Sequence, residues 1–196
     1  MKKFGVLTGI AAVATMGAVL IGGALPSTAA VASSNSQLAS SAYAKRYFAG
    51  SAGDYHAAAY VPKTWKHQTL GAWQDKFSDA KHNRLVRFNT AYNANISTTR
   101  AMKRKVAALK HLRGLHVVST STASMKSTSG QGPLTVSTVV YTYRSGKTTR
   151  WVADRFIGVE GGNSAEVEIA VAGAPKDYKY LGAVLLNSSR SIELAN

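Results

Sequence analysis

Apolar and polar positions near the end of the chain alternate with a period of two. Val167, Ile169 and Val171 fall on one side, and Glu166, Glu168 and Ala170 on the other. That is the pattern of a strand with one face on a core and one face toward water. Residues 134–144, 147–159 and 164–172 read as three long strands. They are joined at Ser145-Gly146 and at Gly161-Gly162-Asn163, where glycine permits tight turns. Upstream, residues 57–61, 75–77 and 84–89 read as shorter strands. Pro62 stops the first, and residues 78–81 turn the chain after the second. Residues 117–127 form a further strand, rich in Ser and Thr.

Two segments carry helical spacing instead. Residues 97–112 can be capped by Ser97 or Thr98, and Gly114 follows the last turn, where a left-handed residue is wanted. Met102, Val106 and Leu109 make one apolar stripe there. Residues 175–187 place Tyr178, Leu181, Val184 and Leu185 on one side, with Ile192 and Leu194 beyond them expected to tuck against the sheet. The expected fold class is therefore α+β, an antiparallel sheet of long strands packed against helices. Trp65 and Trp73 lie close to a turn, where packing is the expected role of such large rings.

The start of the chain changes the picture from fold to compartment. Lys2-Lys3 precedes an apolar run over residues 4–25 that is rich in Ala, Gly and Val, and Pro26 ends it. Residues 27–30 and Ala30-Val31-Ala32 offer small residues at the spacing a signal peptidase requires. Residues 1–30 are read as a secretory leader that suits export from a Gram-positive cell, with the mature chain expected to begin between Ala30 and Ser33. An uncleaved anchor is the alternative, because the run is long enough to cross a bilayer. Residues 31–54 read as a Ser/Ala-rich flexible spacer, with a short helix near 38–48, and residues 55–196 as a single domain.

Charge adds a candidate partner. The chain has 24 Lys+Arg against 9 Asp+Glu, a net charge of +15. The excess is concentrated. Residues 31–116 hold 14 basic and 3 acidic residues, and residues 117–196 hold 8 and 6. Arg100, Lys103, Arg104, Lys105, Lys110 and Arg113 spread around the outside of the 97–112 helix. Arg100, Lys103 and Arg104 share one side, with Lys110 close to Lys103. The site expected from this is a polyanion-binding face made of Arg100, Lys103, Arg104 and Lys110. The partner is an anionic envelope polymer, such as teichoic acid or an acidic polysaccharide, or the anionic membrane surface. A simply solvated helix face is the competing reading. A protein partner stays open, and no specific nucleic acid is expected, since the aromatic-basic signature of an RNA-binding sheet is missing.

Catalytic motifs are weak by comparison. There is no cysteine, which excludes disulfides, thiolate metal sites and a lipid-modified N-terminal Cys. Gly146-Lys147-Thr148 resembles the end of a phosphate loop, but Tyr141 stands where its first glycine belongs, and the context is a hairpin. His56, His67, His82, His111 and His116 show no metal-ligand spacing. His67, His82 and Lys66 are the candidates for a nuclease-like site. A secreted hydrolase or nuclease using such histidines is the alternative function. Glu166 and Glu168 share a strand face and could act as a carboxylate pair, although basic neighbours on a wet face explain them better. No cofactor and no catalytic residue is expected.

Val61-Pro62-Lys63-Thr64-Trp65, then Phe77-Ser78-Asp79, then Arg84-Leu85-Val86-Arg87-Phe88, are followed by a polar helix, long strands and a closing helix. A strand within that series carries Ala153-Asp154-Arg155-Phe156, read as an exposed element. This series resembles the PsbP-like domains of actinobacterial exported envelope proteins, including LpqN-type lipoproteins, over roughly residues 55–194. The resemblance implies an antiparallel sheet packed on helices and a ligand- or partner-binding role outside the membrane, with no shared catalytic residues. The lipidated cysteine of the lipoprotein members is missing here. An NTF2-like cone is the alternative fold.

Overall fold

The computed structural model describes residues 42–49, 55–92 and 95–195. The leader, its cleavage sites and most of the spacer lie outside the described residues. Among the described residues, ten strands form two antiparallel sheets. The larger has seven strands in the order β3-β4-β5-β9-β8-β7-β6. These are β3 (Lys66–Gly71), β4 (Gln74–Asp79), β5 (Arg84–Asn89), β6 (His116–Lys126), β7 (Pro133–Ser145), β8 (Thr148–Gly158) and β9 (Val167–Gly173). The smaller joins β1 (Tyr43–Ala49), β2 (Tyr55–Pro62) and β10 (Glu193–Leu194) in the order β1-β2-β10. Helix α1 (Thr98–Ala108) lies over β7 and β8 on one face of the large sheet. Helix α2 (Tyr178–Arg190) lies over β9 on the other face and packs against β2 of the small sheet. Among the described residues, no helix is long and apolar enough to cross a membrane.

The α+β architecture expected from the alternation is the one observed, and the large sheet stays open with β3 and β6 as its edges. Val167, Ile169 and Val171 are fully buried and share one core with Leu181, Val184 and Leu185 of α2. Ile192 is buried in that core and Leu194 packs against it, as the C-terminal pattern suggested. Trp65 is buried there too. Trp73 instead stands at the β3–β4 turn with its ring edge-on to His56, centroids 4.1 Å apart.

Four expectations are corrected. The face of β9 that carries Glu168 is only partly open to water, because Glu168 and Ala170 are half-buried and Lys105 of α1 reaches over to Glu168. A second core of Ile96, Ala101, Met102, Leu109, Val139, Tyr141, Val152 and Phe156 lies beneath that helix. Ala153-Asp154-Arg155-Phe156 is likewise not exposed, and all four residues are buried. The reason is position: β8 has strands on both sides and packed layers on both faces, so it has no outward face. Residues 43–49, placed by the sequence within a spacer with a short helix, form β1, paired antiparallel with β2 from Tyr43↔Pro62 to Ala49↔Tyr55. Residues 66–71, where the sequence pattern predicts no element, form strand β3, because an edge strand with all six residues exposed carries no alternation. Its register comes from β4, through pairs such as His67↔Phe77.

Ile169 is fully buried and paired with Phe88 on β5 and Arg155 on β8. Ile169→Ala is expected to cost about 2–5 kcal/mol, from lost transfer energy and the cavity left behind. Urea unfolding measures this, and a change under about 0.5 kcal/mol would contradict the assigned face.

Candidate functional site

Helix α1 begins where the sequence places its cap. Ser97 is extended, and its hydroxyl accepts a hydrogen bond from the Arg100 N–H at 3.2 Å. Beneath the first turn, the hydroxyls of Thr98 and Thr122 each lie 3.0 Å from that of Ser137 on β7. The helix ends in a 3-10 turn over Leu109–His111, and Gly114 then takes φ +64°, as its position after the helix suggested. A side chain there would strain the backbone and meet the Arg144 side chain at 2.8 Å.

The buried side of α1 carries Thr98, Ala101 and Met102, with Leu109 just beyond. Lys105 belongs to this side rather than to the outside, where the charge pattern had placed it. Its Nζ lies 2.7 Å from Asp154 Oδ2 and 2.6 Å from Glu168 Oε1. Asp154 on β8 and Glu168 on β9 share the α1 face, because Asp154 pairs with Ala170 and Glu168 with Phe156 across the same ladder. Asp154 is only 1 % exposed, and its Oδ1 has no hydrogen-bond partner. Burial pushes the Asp154 carboxyl up to about 7, with Lys105 opposing that shift and Glu168 adding to it. Burial alone would lower the Lys105 ammonium, but the two carboxylates outweigh it and hold it well above the ordinary lysine value.

The opposite side of α1 faces solvent. Arg100, Lys103, Arg104 and Lys110 are all exposed, and among the described residues none makes an ion pair. At about 100° per residue, Arg100, Lys103 and Arg104 flank Ala107 on a single face, and Lys110 follows in the 3-10 turn. No acidic residue occurs on the helix. The structure therefore brings the four candidate residues to one surface and removes Lys105 from it. Glu168 does not act beside Glu166 as a free pair. It meets Lys105, while Glu166 Oε2 accepts the Val159 N–H at 2.9 Å.

The histidines do not converge. His67 Nε2 lies 2.6 Å from Asp75 Oδ1, and the ring stacks on Phe77 at 4.7 Å. His82 Nδ1 lies 2.6 Å from Asp79 Oδ2. Asp75 and Asp79 are four residues apart on β4, about 13 Å along the strand. His56 Nε2 lies 2.6 Å from Thr90 Oγ1, and burial lowers its pKa against an opposing pull from Asp75. Among the described residues, no group of three or more His, Asp or Glu could hold a metal ion.

One buried cation was missed by the sequence reading. Arg155 points to the α2 face, where Nε donates to Thr138 Oγ1 at 2.9 Å and Nη1 to Ser189 Oγ at 3.1 Å. Among the described residues no carboxylate meets it, and burial brings its pKa down to about 10. The only available signal was the adjacent pair Asp154-Arg155 inside an apolar strand, where charges need a reason.

Neither the family models nor the sequences of curated proteins match this chain. A solved structure of LpqN, involved in cell envelope biogenesis of Mycobacterium tuberculosis, is similar at 11% identity. The alignment covers 79% of this chain and 92% of that one, with a TM-score of 0.45. That likeness is distant, and the site described above rests on the geometry of this chain alone.

Removing Lys105 would leave two covered carboxylates facing each other. Compared with Lys105→Arg, which keeps a cation beside the carboxylates, Lys105→Ala is expected to destabilise the fold by about 3–5 kcal/mol at neutral pH. The folded Asp154 carboxyl lies above its unfolded value near 3.8, so its contribution is full below that value and is lost as pH rises through about 7. The deficit of the variant should therefore shrink between pH 8 and pH 5. Urea unfolding across that range tests it, and a deficit that grows on acidification would reverse the assignment.

Proposed function

We propose that this chain is an extracytoplasmic, non-enzymatic binding module of the bacterial envelope with a PsbP-like fold. Its basic α1 face engages an anionic envelope polymer or the anionic membrane surface. The observation that carries the reading is the solvent side of α1: four exposed cations, Arg100, Lys103, Arg104 and Lys110, with no carboxylate partner among the described residues. The N-terminal leader pattern supports a place outside the membrane. The Val61–Trp65, Phe77–Asp79 and Arg84–Phe88 series supports the PsbP-like assignment.

The physical case is one of unbalanced charge. Acidic side chains that could neutralise the helix are engaged elsewhere: Asp79 and Asp177 with Arg84, Glu193 with Lys45, and Asp154 and Glu168 with Lys105. A repeating polyanion can meet several spaced cations at once, which a single small anion cannot. The non-enzymatic reading draws on the histidines, since His67 and His82 each hold a different aspartate.

Retention on purified anionic cell wall tests the proposal. The wild type should bind at low salt and elute as salt rises, because the Debye length falls from about 10 Å at 0.1 M to about 3 Å at 1 M. The variant with Arg100, Lys103, Arg104 and Lys110 all changed to Gln should be retained far less at low salt. Equal retention of the two would refute the α1 face as the site. Retention that ignores salt would replace the polyanion with a ligand held in a pocket.

A further inference from the structure

Lys105, Asp154 and Glu168 place a primary amine between two carboxyl groups, one of them buried and one half-buried, at the base of α1. The nitrogen lies 2.7 Å from Asp154 Oδ2 and 2.6 Å from Glu168 Oε1. Tyr141, Phe156, Val139 and Val152 belong to the same buried cluster beneath α1. One ammonium facing two carboxylates leaves a net negative charge in this layer, and burying such charge is costly. A neutral amide in place of the Lys105–Asp154 pair leaves that net charge unchanged but removes the charge of Asp154, the most buried of the three, leaving it on the more exposed Glu168. The chain has no cysteine, so no disulfide can tie α1 to the sheet.

We propose that Lys105 Nζ and Asp154 Cγ condense into an intramolecular isopeptide bond, with Glu168 carrying the proton. The step balances without any other reactant. A proton moves from the Lys105 ammonium to Asp154, giving an amine and a carboxylic acid side by side. The nitrogen lone pair attacks Asp154 Cγ, and Glu168 takes a proton from nitrogen. The tetrahedral carbon then expels a hydroxyl group, which leaves as water with the proton returned by Glu168. A C–N bond forms, a C–O bond breaks, one water is released and Glu168 ends ionised as it began. No oxidation or reduction occurs.

Three observations make the step accessible. The reacting groups are already in contact, so the entropy of bringing amine and acid together has been met by folding. Asp154 is 1 % exposed, so water has poor access to reverse the reaction. Its Oδ1 has no hydrogen-bond partner to hold it in place as a carboxylate oxygen. Burial of Asp154 favours its protonated, electrophilic acid, while the two carboxylates hold Lys105 as an ammonium, so the attacking amine forms only as its proton passes to Asp154.

Mass spectrometry of the full chain, purified after folding, decides the matter. The expected intact mass is lower than the sequence requires by one water, about 18 Da. A tryptic digest should contain residues 105–110 joined to residues 151–155, because trypsin cannot cut after an acylated Lys105. Asp154→Asn should form the same bond with loss of ammonia, about 17 Da. Lys105→Arg should show the full sequence mass. Glu168→Gln should do so too, because no base is left to take the proton from nitrogen. A wild-type digest with these two peptides only unlinked would overturn the proposal, as would a joined peptide persisting in Lys105→Arg. A Glu168→Gln variant that links as fully as the wild type would remove Glu168 from the step.

Discussion

Two consecutive charged residues in the middle of the large sheet, Asp154 and Arg155, determine what each face must supply. Successive side chains of a strand point to opposite faces, and β8 is covered on both. Asp154 therefore meets α1 through Lys105, and Arg155 meets α2 through Ser189. Neither charge can reach bulk water, so each helix must approach in a register that presents a partner. The apolar layers provide most of the packing. The two polar contacts specify which turn of each helix lies over β8.

That constraint explains the separation of charge over the molecule. Acidic residues on the strands are drawn inward or into pairs, with Asp154 and Glu168 facing Lys105 and Asp75 beneath His67, and Asp177 just before α2 is paired with Arg84. The basic residues on the outside of α1 are left without local compensation. One lysine of that helix faces the sheet and holds it down, while its neighbours at positions 103 and 104 face away. A single helix thus contributes an internal anchor and an external basic surface, and the surface keeps its orientation only while the anchor holds.

Much of this was legible in the residues. The alternation of Val167, Ile169 and Val171 identified the core face of β9, and Leu181, Val184 and Leu185 identified the face of α2 that meets it. Ser97 and Gly114 marked the ends of the helical segment around α1. Arg100, Lys103, Arg104 and Lys110 were placed on its solvent side by helical spacing alone. These signals are local. Each depends on which side of one element a residue occupies, and the backbone repeat fixes that.

What the chain alone left open depends on contacts between distant segments. Lys105 looked like one more surface cation, because periodicity cannot show that a carboxylate waits on a strand 49 residues later. Glu168 looked solvent-facing because alternation identifies two faces without saying whether a helix covers the second. Strand β3 had no pattern of its own, since an exposed edge strand takes its register from its neighbour. The sequence by itself determined most of the elements, their inner faces and the excess of positive charge, but not strands β1 and β3. Only the tertiary structure decided which charges were covered, because burial depends on the layer that closes over a face, and that layer comes from elsewhere in the chain.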